Sequence, residues 1–236
     1  MRRRSWAVPW LLAILAVPAR AEDNLAADLV AAAPSANPEV LALATRAADC
    51  ARRQGMLDGF HRLAVIDYSL PSTTPRLWVF DVDGRRLLFQ ELVAHGRNTG
   101  EQHAARFSNV EGSKMSSLGL FQATETYDGS NGYSLRLRGL DAGFNDNAMS
   151  RAIVMHGAPY VSESTGERLG RLGRSWGCPA VRKEIARVMI DTLKGGALLF
   201  AYYPDQKWLR ESPTLSCSAA QGPRIAAAPA DASPRG

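Results

Sequence analysis

From residue 63 to residue 203 the sequence breaks into short runs of apolar, β-branched and aromatic side chains divided by Gly, Asp and Ser. Runs this short suit strands and leave little room for long helices. Segments 63–68, 76–81, 86–93, 118–126, 133–138, 152–155 and 197–203 are therefore predicted as strands. The second and third are joined across Val82-Asp83-Gly84 as a hairpin with an Asp-Gly turn. Many short strands with Gly-rich connections pack as an antiparallel sandwich or a barrel-like body, so the expected class is mainly β with a few peripheral helices. One helix starts at Asn37-Pro38-Glu39, an N-cap followed by proline at the first helical position, with Val40, Leu43, Ala44, Ala47, Ala48 and Ala51 at helical spacing until Gly55. Ile185, Val188, Met189 and Leu193 mark a second, closed by Gly195-Gly196.

The chain ends read differently. Residues 1–21 have the layout of a secretory signal peptide: Arg2 to Arg4, an apolar run from Trp6 to Val17, and Ala19-Arg20-Ala21 as a small-x-small cleavage site. Paired arginines also occur in twin-arginine leaders, so the export route stays open. The apolar run is broken by Pro9 and falls short of the roughly 20 residues that a spanning helix needs, which argues against stable membrane insertion after cleavage. Residues 22–58 are expected to be a helical segment, 59–210 the main body and 211–236, rich in Ala, Pro and Gly toward its end, a disordered tail. The expected location is the periplasm or another exported site at the cell envelope.

Composition excludes one class. The 236 residues carry a formal charge of +5, but four of the 28 basic residues lie in the first 21, leaving 24 against 23 acidic ones and a net of +1. A basic face for nucleic acid has no support in that balance. Export also changes how Cys50, Cys178 and Cys217 are read, because an oxidising compartment allows one intramolecular pair and leaves one thiol. Cys50 with Cys217 is the only pair that spares Cys178; the alternative is that Cys50 is simply core. Four histidines without Cys-x-x-Cys or His-x-x-x-His spacing give no structural zinc site.

Chemistry concentrates in Gly173-Arg174-Ser175-Trp176-Gly177-Cys178-Pro179-Ala180. A cysteine between a small-residue turn and a helix start would face unpaired backbone N–H groups and the positive end of the helix dipole, both of which favour thiolate. The bland alternative is a small buried hydrophobe. His156, in Val154-Met155-His156-Gly157, sits at a strand end where a carbonyl could fix its tautomer and leave the other ring nitrogen as a base. Lone histidines at such places are more often structural. His95, in Ala94-His95-Gly96, either faces the cleft and binds substrate or caps its strand.

Taken together, strand-His-Gly, a connection of about 20 residues and Ser-x-Gly-Cys resemble the active-site segment of L,D-transpeptidases of the YkuD-like type, over residues 63–203. Pro71-Ser72-Thr73, Val93-Ala94-His95-Gly96, Phe107-Ser108-Asn109, Ser116-Ser117-Leu118-Gly119 and Ser175-Trp176-Gly177-Cys178-Pro179-Ala180 are similar to the murein L,D-transpeptidase catalytic domain branch.

The resemblance implies a YkuD-like β-sandwich or barrel-like catalytic domain over 59–210. Cys178 would be the nucleophile, His156 its base oriented by the Gly157 carbonyl, and Ser175 and Gly177 part of a turn presenting N–H groups to an oxyanion. Trp176 would form a wall, and Ser117 and Gly119 would belong to a cleft hairpin resembling Thr-Pro-x-Gly-x-Phe. The chain departs from the family where many members have His at the position of Trp176, and Arg or Asn at that of Ala180. The substrate-carboxylate contact therefore falls to Arg174 or Arg182, unless these are solvated side chains. The implied partner is the peptidoglycan stem peptide, the implied reaction acyl transfer through a thioester with release of D-alanine, and no cofactor or metal is required. A hydrolase on the same scaffold and a non-catalytic peptidoglycan-binding protein remain the rivals, and nothing in the sequence bears on the oligomeric state.

Overall fold

The computed structural model describes residues 25–217. The signal peptide expected over 1–21 and most of the expected disordered tail lie outside them. In chain order the described elements are α1 (Leu25–Ala32), α2 (Pro38–Arg53), β1 (Arg62–Asp67), β2 (Leu77–Asp81), β3 (Arg86–Glu91), β4 (Val93–Ala94), β5 (Gly119–Gly129), β6 (Gly132–Gly139), β7 (Val154–Ala158), α3 (Glu163–Leu169), β8 (Ala180–Arg182), α4 (Lys183–Leu193), β9 (Leu198–Tyr202) and α5 (Gln206–Glu211).

The nine strands form one sheet in the order β3-β2-β1-β9-β5-β6-β7-β8-β4. Its two outermost strands, β3 and β4, are consecutive in the chain with Leu92 alone between them, so the sheet curls until its ends meet. The fold is thus mainly β, barrel-like and nearly closed, with short helices outside it. It departs from a purely antiparallel body at two junctions, where β1 pairs with β9 and β7 with β8 in parallel. Parallel pairing needs a crossover: α3 lies in the one between β7 and β8, whereas β1 and β9 are joined through all the elements between them.

Burial explains the unbroken apolar sequences of the central strands. β2 is buried at every position and β1 and β9 at all but one end, because their inner faces meet across the barrel while helices pack outside. α2 packs on β1, β5 and β9 through a stripe of Val40, Leu41, Ala44, Ala47, Ala48 and Ala51, whose small side chains permit close approach. Its N-cap is the expected one: the Asn37 side chain accepts the Glu39 N–H at 2.9 Å, with proline in the first turn. α4 lies on β7 and β8. The turn between β2 and β3 is longer than an Asp-Gly pair: residues 82–85 are outside both strands, and Arg85, at φ 51°, takes the left-handed position.

Two expectations need correction. Residues 211–217 are not part of a loose tail, because Ser212 and Thr214 are fully buried and bind the buried Asp141 carboxylate at 2.7–3.1 Å. Cys217 then closes a disulfide with Cys50 across 167 residues, a crosslink worth about 5 kcal/mol in the chain-entropy account. The second correction concerns Cys178, which is followed by Pro179 and the strand β8 rather than directly by a helix. α4 begins only at Lys183, too far along the chain for its N-terminal turn to act on the sulfur.

Candidate active site

The β7–β8 register builds the site. His156 lies opposite Ala180 and the strands run parallel, so the residue two before Ala180 comes level with the residue two before His156. Those residues are Cys178 and Val154, and the Val154 N–H reaches Cys178 Sγ at 3.5 Å. The thiol in turn faces the Ala152 carbonyl at 3.7 Å. Ala152 holds φ 53°, a left-handed conformation that costs an alanine about 1 kcal/mol or more, and this bend aims its carbonyl at the sulfur. His156 is 4% exposed, and its Nδ1–H donates to the Gly157 carbonyl at 3.1 Å. A carbonyl can only accept, so this bond leaves the lone pair on Nε2. A Cβ at Gly157 would stand 2.7 Å from that of Ala186, so glycine is also required there for α4 to lie on the strand.

The turn before Cys178 is held by Ser175. Its hydroxyl donates to the Cys178 carbonyl at 2.6 Å and accepts the Gly177 N–H at 3.1 Å. The Gly177 N–H is therefore occupied by Ser175 and differs from the open oxyanion donor that the sequence suggested. Gly177 has φ 126°, and a Cβ there would come within 2.8 Å of the Met115 carbonyl. Gly96 packs against it from behind, where a Cβ would come within 2.9 Å of the Gly177 Cα. The turn before Cys178 is thus clamped between two backbones that only glycines allow.

Electrostatics set the resting protonation. Burial pushes the Cys178 thiol above its ordinary pKa, against smaller opposing effects from the Val154 N–H, the Arg151 charge and its own amide. Burial likewise lowers His156, against the bond to Gly157. Both groups are neutral at pH 7, an uncharged thiol and an uncharged imidazole. The helix-dipole argument for a ready thiolate does not hold here. Tyr160, pushed up to about 12 chiefly by burial and further once Cys178 ionises, is protonated as well.

The remaining expected residues divide. Trp176 stands 70% exposed two residues before Cys178, with the Lys114 ammonium 4.8 Å from its ring centre. Ser117 donates to the Ser108 carbonyl at 2.9 Å, which holds it within the segment 108–117, and Gly119 lies over the Asp141 carboxylate. His95 is 1% exposed, with Nδ1 accepting from Arg76 at 2.9 Å and Nε2 donating to the Gly100 carbonyl at 3.3 Å, so it lies in the framework rather than the cleft. Arg174 is engaged by the Arg97 and Gly100 carbonyls and by Glu101 at 2.6–3.0 Å. Arg182 forms a two-pronged pair with Glu91 at 2.8 and 2.6 Å, across the seam where the sheet closes. Arg174 makes all of these contacts through Nη1, and Arg182 uses Nε and Nη2.

Sequence reasoning missed Arg151, which reaches from beside Gly177 into the segment 108–117, and the Asp141 hub. The only signal for Arg151 was a charge one residue before the run that leads into His156. Among the described residues no cluster of His, Cys, Asp and Glu could hold a metal ion, and no helix is long and apolar enough to cross a membrane.

A buried thiol two residues before β8 and a histidine of fixed tautomer within β7 thus share the parallel β7–β8 pairing of a nearly closed sheet. The sequence model of the YkuD_2 family, described as an L,D-transpeptidase catalytic domain, matches residues 32–202, and the chain belongs to that family. Its solved-structure neighbours are distant. An L,D-transpeptidase from Mycobacterium smegmatis aligns with a TM-score of 0.39 and 14% identity over 61% of this chain and 60% of its own. An L,D-transpeptidase from Mycobacterium tuberculosis H37Rv gives 0.36 and 16% over 61% and 59%. One from Stackebrandtia nassauensis gives 0.35 and 13% over 76% and 89%. The chain thus spans about 60% of the length of the first of these. No curated protein sequence matches it.

Proposed function

We propose that the protein is an exported peptidoglycan L,D-transpeptidase in which Cys178 is the nucleophile and His156 its general base. The observation that carries this reading is the pairing of β7 with β8, which sets the one free thiol among the described residues beside the strand of a histidine with a fixed tautomer. Neutral His156 takes the thiol proton as Sγ attacks the carbonyl of the third stem-peptide residue. The carbon–nitrogen bond to D-alanine breaks, the proton passes from His156 to the leaving amine, and a thioester remains on Cys178. An acceptor amine, such as the side-chain amine of a neighbouring stem, attacks that thioester. The carbon–sulfur bond breaks, a new amide forms, and the amine proton returns to sulfur through His156. The Cys178 amide supports the oxyanion, while the Ser175 clamp keeps the turn in shape.

Product analysis tests this directly. A tetrapeptide donor given alone and with an amine acceptor should yield transferred product ahead of free tripeptide when the acceptor is present. Release of tripeptide at one rate in both reactions, with no amine-containing product, would make the protein a hydrolase on this scaffold; no turnover at all would leave a binding protein.

A further inference from the structure

Arg151 bridges the segment 108–117 and the turn at Gly177. Its Nη1 donates to the Ser108 carbonyl at 2.7 Å and to Ser117 Oγ at 2.5 Å, and its Nη2 to the Met115 carbonyl at 2.7 Å and Ser113 Oγ at 3.2 Å. The same Nη2 lies 3.4 Å from where a Cβ on Gly177 would stand, so the guanidinium is packed against the residue before Cys178. All four acceptors are neutral. The bonds therefore order the segment 108–117 but leave the positive charge uncancelled in a half-buried place, which is unfavourable unless negative charge forms nearby.

We propose that Arg151 is the positioning residue of this site: it locks segment 108–117 onto the turn at Gly177 and keeps its positive charge beside the sulfur anion that forms at Cys178. The proposal rests on Cys178 being the nucleophile. Opposite charge at close range favours the charged form of a thiol, and this effect acts on Cys178 against the burial that raises it. The planar fork explains why the residue is arginine, since four bonds to two nitrogens on three sides of a segment are beyond a lysine ammonium. It also supplies an electrostatic partner that the Gly177 N–H, held by Ser175, does not.

The test uses Arg151→Met, which removes the charge, and Arg151→Lys, which keeps charge and loses the fork. Both are read in the full folded chain with the disulfide intact, by iodoacetamide labelling of Cys178 across the neutral to alkaline range and by hydrogen exchange over 108–117. Arg151→Met should move the labelling profile to higher pH and slow labelling at neutral pH by on the order of tenfold, the effect of about one pKa unit on thiolate fraction. Arg151→Lys should keep the wild-type profile, raise KM for the donor peptide and lose protection in 108–117. A folded Arg151→Met with the wild-type profile and wild-type protection overturns the proposal. If Arg151→Met does not fold, Arg151→Lys decides, and unchanged KM with unchanged protection overturns it. Iodoacetamide needs no peptide substrate, so a wild-type protein that labels at Cys178 but never acylates from a donor refutes the functional reading, while the labelling profile of Arg151→Met and the exchange over 108–117 still uphold or overturn the role of Arg151.

Discussion

His95 and His156 each precede a glycine and lie almost wholly out of water, His95 just after β4 and His156 within β7, the two strands that flank β8; Ala94 and His156 stand in register with the same Ala180. Their ring nitrogens tell them apart. His95 is fastened at both: Arg76 donates to Nδ1, and Nε2 donates to the Gly100 carbonyl. Burial and the Arg76 charge hold its pKa down to about 4, so it serves as a neutral acceptor for a buried guanidinium. His156 is fastened at Nδ1, by its neighbour's carbonyl, and carries the opposite tautomer. The difference teaches that a strand-His-Gly motif does not itself make a base; the partners brought by distant segments decide whether a ring nitrogen is left for chemistry.

Replacing each histidine in turn is the sharpest way to break this comparison. His156→Ala should slow acylation of Cys178 by roughly two to four orders of magnitude, the usual contribution of general-base catalysis, with a smaller loss of stability than at His95 because no buried guanidinium loses its acceptor. His95→Ala should instead lower stability by about 3 kcal/mol, because Arg76 loses a buried acceptor and a cavity opens, while the acylation rate per folded molecule changes far less. Chemical denaturation and single-turnover acylation of both variants decide the matter; a folded His95→Ala as inactive as His156→Ala would erase the distinction.

A smaller effect sharpens it further. The unfolded chain binds a proton at His95 near pH 6.5 and the folded chain only near pH 4, so stability is full above pH 6.5 and falls as pH drops toward 4. The loss from this residue should be about 2 kcal/mol between pH 7 and pH 5, read as a fall in denaturant midpoint. His95→Gln should flatten that slope, whereas His156→Gln should leave more of it. An unchanged slope in His95→Gln would show that other groups carry it.

Much of the sheet was legible because its central strands are buried on both faces, and Leu63-Ala64-Val65-Ile66 or Leu198-Leu199-Phe200-Ala201 admit little else. The Ser-x-Gly-Cys turn and His156 were legible because the chemistry restricts the residue types. What escaped was set by contacts far apart in sequence. β8 has only three residues and draws its order from β7 and β4, so no local pattern announces it. The helix expected right after Cys178 was misplaced for the same reason, since Pro179 and Ala180 read as a helix start until the sheet claims them. Arg182 invited a substrate role until sheet closure set Glu91 against it, and Ser212 and Thr214 read as tail because Asp141, their anchor, lies some 70 residues away.

The central claim is that Cys178 carries the acyl group. Acid-quenched mass spectrometry after brief exposure to a tetrapeptide donor should find the wild-type protein heavier by the tripeptide acyl group, on the peptide containing Cys178, with the Cys50–Cys217 pair unmodified. The same mass gain in Cys178→Ala, or an adduct mapped to any other residue, would contradict the account.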